Sequence, residues 1–221
     1  MPIPQTNDMP SRMSIKDMIY QTLRSWIIDG TLQPNESVND MEIARYFSTS
    51  RTPVREALLL LAQQGLVEVK PSQGTRIAPL AKDSAFMIYE ALAKLFGVAA
   101  KMACQKRTEE DLEQLHALND AFAQAITNGE WARFLQCDAD FHAAVFQIAG
   151  NQYLGDYAQQ LTVHAQRYEN YFLKNGSDKN SSVQDHEAVI RAIEDQDIEA
   201  AQRYAEKNWL GFYRDRLEKL L

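Results

Sequence analysis

Two sets of side chains stand at spacings that could do chemistry. The first is Arg51 and Arg55, four residues apart, with the hydroxyls of Ser50 and Thr52 beside them. Positions four apart share one face of a helix, so this set would gather two guanidinium groups at one helix tip. An arginine can pair with both acceptors on a guanine edge, and hydroxyls and helix-terminal amides bind phosphate. That is the chemistry of nucleic-acid recognition. The second set is Asp138 and His142, also four apart. A carboxylate and an imidazole on one helical face can form a surface ion pair or supply two ligands to a divalent metal.

The elements around the first set fit a DNA-reading role. Pro53 suits the first turn of a helix, and Thr52 just before it is placed to cap the open amides. An apolar body, Ala57-Leu58-Leu59-Leu60-Leu61-Ala62, follows before Gly65 stops the helix. Upstream, Ile15, Met18, Ile19, Leu23, Trp26 and Ile27 recur at helical spacing from Ser14 to Ile28. Gly30 ends that helix and Pro34-Asn35 turns the chain. Asn39, with Glu42 three residues on, opens a second helix to Phe47 at capping-box spacing. Downstream, Leu66 to Lys70 and Thr75 to Ala78 read as strands around a turn at Gln73-Gly74, where glycine lets backbone approach closely. Three helices and a β-hairpin make a winged helix-turn-helix over residues 14–80, behind a disordered arm at 1–13.

The charge balance supports this division. The 221 residues carry a net charge of −7. Residues 1–80 hold 8 basic and 8 acidic side chains, and residues 81–221 hold 15 and 22. All of the excess acid therefore lies in the second part. Phosphate binding needs local positive charge, which Arg51, Arg55, Lys70 and Arg76 can supply. No stretch has the apolar length of a membrane span, the first residues lack the apolar core of a signal peptide, and Cys104 and Cys137 form no CxxC pair. These features predict a cytoplasmic protein.

From residue 81 on, the pattern is helical throughout, with Asp83 or Ser84 as the first cap. Six helices are predicted: Ser84 to Gln105, Thr108 to Thr127, Glu130 to Ala149, Asn151 to Leu173, Ser182 to Asp195 and Asp197 to Leu221. The fold class is thus mainly α, a winged helix-turn-helix followed by an antiparallel helical bundle. Such a bundle can build a site from side chains on facing helices.

Residues 14–80 resemble the DNA-binding domain of the GntR family of bacterial transcription regulators. The resemblance is carried by Gly30, Pro34, Ile43-Ala44, the run from Ser50 to Leu58, Leu61, Gly65-Leu66-Val67, Gly74 and Ile77. It implies that Ser50, Arg51, Thr52, Arg55, Gln73 and Gly74 meet DNA, and that the protein acts as a homodimer on a palindromic operator. Residues 81–221 resemble the FCD ligand-binding domain of the FadR-type branch, most sharply at Asp138 to His142, at Gly150-Asn151 and from His186 to Ile193. Many such domains hold a divalent metal, zinc or nickel, with an Asp and three His. Carried over, Asp138, His142 and His186 match three ligands and Asn208 stands where the fourth His is expected. Asparagine is a poorer ligand for such metals than imidazole. A further departure is Leu92, at a position where the family often places an arginine in the effector pocket; His164 and Arg167 on the fourth helix remain to bind a carboxylate.

The implied function is repression released by a small metabolite, a carboxylic acid first among the choices. Two rival readings stay open on the residues alone. One is a metal-dependent enzyme, in which Asp, His and Asn side chains activate water. The other is an architectural DNA-binding protein that answers to no effector. Trp131, Phe134 and Trp209 are candidate dimer contacts, with core packing as the plainer alternative.

Overall fold

The computed structural model describes residues 13–70, 74–172 and 180–219. It forms two compact units, with the main division between Ala78 and Pro79.

In the first unit, helix α1 (Ile15–Ile28) buries Ile19, Leu23 and Ile27, one residue per turn. Helix α2 (Asp40–Tyr46) begins at Asn39, whose side chain accepts from the Met41 amide. Glu42 accepts from the Asn39 side-chain amide at 3.2 Å, so the two residues meet side chain to side chain. Helix α3 (Arg51–Gln63) buries Val54, Ala57, Leu58 and Leu61, the i, i+3, i+4, i+7 stripe of a helix with one face in a core. Each buried leucine of this kind contributes roughly 1.5–3 kcal/mol. The opposite face, including Arg55 and Glu56, is exposed.

The start of α3 corrects the sequence reading. Ser50 takes the cap position, without a side-chain cap bond, and Thr52 lies inside the helix. Proline lacks the N–H that the first turn leaves unpaired in any case. Pro53 is therefore as comfortable third in the helix as first, and it does not fix the helix start.

The wing has one strand more than the hairpin. Strands β1 (Ser37–Val38), β2 (Val67–Lys70) and β3 (Gly74–Ile77) form an antiparallel sheet in the order β1-β3-β2. Val67 pairs with Ile77 and Lys70 with Gly74, while Ser37 pairs with Arg76. Two residues are too few to show a period of two, so β1 left no mark in the sequence. Gly74 has φ +81° with nothing near its missing side chain, so the backbone conformation calls for glycine. Gln73 lies outside the described residues.

Among the described residues, the second unit is a bundle of six α-helices, α4 (Lys82–Lys106), α5 (Glu109–Asn128), α6 (Trp131–Ala149), α7 (Gln152–Phe172), α8 (Asn180–Glu194) and α9 (Ile198–Phe212). The chain then continues as a π-helical turn, Tyr213–Leu217, where the sequence predicted unbroken α-helix. At the centre lies α4, which touches α6, α7, α8 and α9. It buries Ala85, Ala93, Ala99, Ala100 and Ala103, small residues that let neighbours come close. Helix ends follow local chemistry. Thr108 and Asp111 close a full capping box on α5, and Gly129 and Gly150 end α5 and α6 at φ +70° and +59°.

Two helix starts differ from the sequence expectation. Helix α4 starts at Lys82, with Ala81 in the cap position, and Asp83 is an acidic residue of the first turn. Its charge favours the helix N-terminus from that place without capping it. Helix α8 starts at Asn180, ahead of Ser182. Of the aromatics that could serve an interface or the core, Phe134 and Trp209 are buried, each 5% exposed, which agrees with core packing, and Trp131 is half-buried and stacks on Phe134 at 5.0 Å.

Candidate functional site

Within the bundle, α6 and α8 bring Asp138, His142 and His186 together. His142 Nε2 lies 3.6 Å from Asp138 Oδ2, and His186 Nε2 lies 3.4 Å from Asp138 Oδ1. These separations exceed good hydrogen bonds, which run to about 3.2 Å. They match atoms that share an ion, because a tetrahedral metal at roughly 2.0–2.1 Å holds its ligand atoms about 3.4 Å apart. His142 Nδ1 and both nitrogens of His186 are buried without a hydrogen-bond partner among the described residues. Buried polar atoms left so are costly and call for a bound partner.

Aromatic rings hold the imidazoles in place. Phe141 stacks on His186 at 4.0 Å, with Phe122 at 4.9 Å. Phe96 and Trp209 lie 4.5 and 4.6 Å from His142. Burial pushes the His142 pKa down to about 4, with Asp138 drawing it upward and His186 downward. The ring is therefore neutral, with a lone pair to give, at neutral pH. Two imidazoles and a carboxylate with matched spacing fit a divalent metal.

Asn208 shares this place. It is 6% exposed on α9 and lines one cavity with Asp138, His142, Glu169, Ser182 and three aromatic residues, Phe134, Trp209 and Phe212. The cavity has about 20 Å³ of inner room. The inner volume suits one ion or one water molecule.

Glu169 escaped the sequence reading. It lies on α7, and its Oε1 accepts from the Tyr89 hydroxyl at 3.0 Å. Burial pushes its pKa up to about 8, Asp138 adds to the rise, and the Tyr89 hydrogen bond works against it. A glutamate thirty-one positions from Asp138 in sequence carries no spacing signal; only the packing of α7 against α6 brings it near.

The other effector-pocket candidates stand elsewhere. Leu92 is fully buried in the apolar core, and it is absent from the cavity wall. Arg167 is 4% exposed and burial lowers its pKa; His164 is half-buried. Neither lines the cavity that holds Asp138 and His142.

In the first unit, the N-terminal turns of α3 present Ser50, Arg51, Thr52 and Arg55 in exposed positions. A residue absent from the sequence reading ties the arginines together. Asp40, the first residue of α2, accepts from Arg51 Nη2 and from Arg55 Nε on the same Oδ2, each at 2.9 Å. Hydrogen bonding from Arg51, seconded by Arg55, holds the Asp40 carboxyl below its ordinary range. Neither arginine is sequestered, since their side chains remain 49% and 61% exposed. An acidic residue near a helix start reads in sequence as a first-turn charge, which masked this second role.

Two family models match the chain. One, described as bacterial regulatory proteins of the gntR family, matches residues 15–77, and the FCD domain matches residues 87–208. Among curated relatives, the HTH-type transcriptional regulator YdhC of Bacillus subtilis is 26% identical over 189 residues, 84% of this chain and 83% of its own length. The HTH-type transcriptional repressor RspR of Escherichia coli is 25% identical over 193 residues, 86% of this chain and 83% of its own. Among solved structures, E. coli McbR/YncC has the same fold with a TM-score of 0.76, at 21% identity, over 90% of this chain and 95% of that one. No described helix is long and apolar enough to cross a membrane. The chain belongs to the gntR family of bacterial regulatory proteins and is a DNA-binding transcription regulator with an FCD domain.

Proposed function

We propose that this protein is a cytoplasmic repressor that binds a palindromic operator as a homodimer and responds to a small carboxylic acid in its FCD domain. The observation that carries the DNA part is the pair of exposed guanidinium groups on the first turns of α3, tied at one point in a winged helix. Arg51 and Arg55 would address bases or flanking phosphates. Ser50 and Thr52 would bind phosphate beside the helix-terminal amides. Gln73 and Gly74 would place the wing. A single winged helix offers few base contacts, which favours a two-fold dimer on two half-sites. Two relatives named HTH-type transcriptional repressors, RspR of Escherichia coli and NanR of Klebsiella aerogenes, support repression.

In the FCD domain, Asp138, His142 and His186 would hold a divalent metal, zinc or nickel, with Asn208 as an oxygen donor beside them. When bound, such a metal would supply a Lewis-acidic centre able to attract a carboxylate. The aromatic rings keep both imidazoles oriented, and Glu169 and Ser182 supply polar groups on the cavity wall. This is a ligand-sensing arrangement, and the family is one of regulators rather than enzymes.

The test is selection of bound sequences from a randomised duplex pool, followed by titration of the winning duplex. A palindromic consensus is expected, and Arg55→Ala should weaken its binding at one base position by about 1–3 kcal/mol. Equal affinity for all sequences in the pool would refute the operator reading. Metal assay by mass spectrometry, on protein purified without chelator or affinity metal, tests the second part.

A further inference from the structure

We infer that Asp40 is a specificity-determining residue: its carboxylate holds Arg51 and Arg55 so that Arg55 reads a base and Arg51 takes a lesser, positioning contact. The inference rests on the proposed DNA-reading role of α3 and goes beyond it in assigning the division of labour.

The geometry sets the roles. Arg55 meets Asp40 through Nε, at 2.9 Å. Among the described residues, that leaves both of its terminal nitrogens for a partner beyond the protein. An end-on pair of N–H donors is what a guanine O6/N7 edge accepts. Arg51 meets the same oxygen through Nη2, at 2.9 Å. This contact draws one of its two terminal nitrogens toward Asp40, so turning both outward would give up part of that bond, and a single contact to phosphate suits it better. Arg55 is also the more exposed of the two, 61% against 49%.

Asp40 is itself well placed to hold them. It follows Asn39, whose side chain caps the Met41 amide at 3.0 Å and fixes the start of α2. A carboxylate in that first turn is favoured by the helix dipole. One oxygen between two cations also offsets their mutual repulsion, one turn apart on α3. Without it, two long side chains regain their rotamer freedom and must be ordered again at each encounter with a base. The same carboxylate stands beside the arginines that would meet DNA phosphates, where its charge weakens indiscriminate attraction. Asp40 therefore raises selectivity twice, by orienting the reader and by lowering the sequence-independent background.

The two effects give opposite signs, which a simple loss of folding does not. The selected operator, the same duplex with the read guanine replaced, and an unrelated duplex would be titrated by fluorescence anisotropy with unaltered protein and with Asp40→Asn. Asn keeps the shape and removes the charge. Discrimination against the replaced guanine is expected to fall by roughly 5-fold or more, from within the 5–150-fold range of one bidentate contact. Affinity for the unrelated duplex is expected to rise, with the salt slope steeper by up to about 1. Asp40→Glu should restore part of the discrimination. In an Arg55→Ala background, Asp40→Asn should change base discrimination no further.

An equal loss on all three duplexes, or unchanged discrimination, overturns the inference. So does a full additional loss in the Arg55→Ala background. Failure of the underlying reading looks different: Arg55→Ala itself would then leave the operator preference unchanged.

Discussion

His142 and Glu169 sit on one cavity, and burial moves both away from their ordinary behaviour in ways that oppose each other. His142 has a folded pKa of about 4, below its ordinary 6.5. The folded state binds fewer protons in that window, so stability is lost as pH falls from 6.5 toward 4. Glu169 has a folded pKa of about 8, above its ordinary 4.5. The folded state then binds more protons between those values, so stability is lost as pH rises through them. The two slopes oppose between about 4.5 and 6.5, and only that of Glu169 acts from there to about 8. Metal-stripped protein should lose about 2 kcal/mol of stability between pH 6.5 and 8, by urea unfolding at each pH. Glu169→Gln should flatten that limb, and a slope unchanged by the substitution would show that other groups cause it. The metal set gives a second prediction at this scale. If the proposed metal is bound there, His186→Ala removes a fully buried imidazole and should abolish tight metal binding, whereas Asn208→His should raise affinity, since imidazole binds these metals better than an amide. Isothermal titration with zinc decides both; equal affinity in all three proteins would mean the cluster is not the binding site.

At the scale of the helix, the tight crossing of α4 and α9 depends on Gly97. A methyl group there would meet Glu206 Cγ at 2.8 Å and Gln202 Cγ at 3.3 Å. Glu206 is itself held by Lys94 and by Gln202, so its stem cannot swing away without breaking those contacts. Gly97→Ala should cost about 1–3 kcal/mol, as overpacking does. Gly155 in α7 makes the contrast, because a methyl group there would find only Phe146 Cβ, at an ordinary 3.9 Å. Gly155→Ala should instead stabilise by up to about 1 kcal/mol, the helix preference of alanine over glycine. Thermal melts of the two variants should therefore move in opposite directions, and a shared direction would refute the packing account. The same contrast explains what was legible in the sequence. Helices α1 and α3 announce themselves by their apolar residues, and α2 by the Asn39 and Glu42 spacing at its start, because those signals are local. Ser37-Val38 pairs with residues almost forty positions on, and nothing within the strand itself records that pairing. At the site, Asp138 and His142 share a helix and were visible by spacing, and His186 and Asn208 became visible by resemblance. Asp40 and Glu169 were not, since each gains its role from a neighbour on another helix.

For the molecule as a whole, charge is divided unevenly between the two parts of one chain. The N-terminal 80 residues are neutral and the remainder carries the entire excess of acid. DNA attraction must then come from a few local cations, and the salt dependence of operator binding should be shallow for a DNA-binding protein, with a slope set by the phosphate contacts of each half-site. Any response of that binding to metal or effector is a coupling free energy between the two parts, and it must be reciprocal. If chelation weakens operator binding by some factor, operator DNA must tighten metal binding by the same factor. A coupling of about 1–3 kcal/mol corresponds to roughly 5–150-fold in either direction. The prediction is measured as a closed cycle: operator affinity with and without zinc, and zinc affinity with and without operator. Matching factors above unity would establish that occupancy of the Asp138, His142 and His186 site is read out at α3. A factor of one on both arms would assign the metal to the stability of the bundle alone, and signalling would then belong to the organic ligand. In that case the same cycle, run with a carboxylic acid on zinc-loaded protein, should close with a factor different from one.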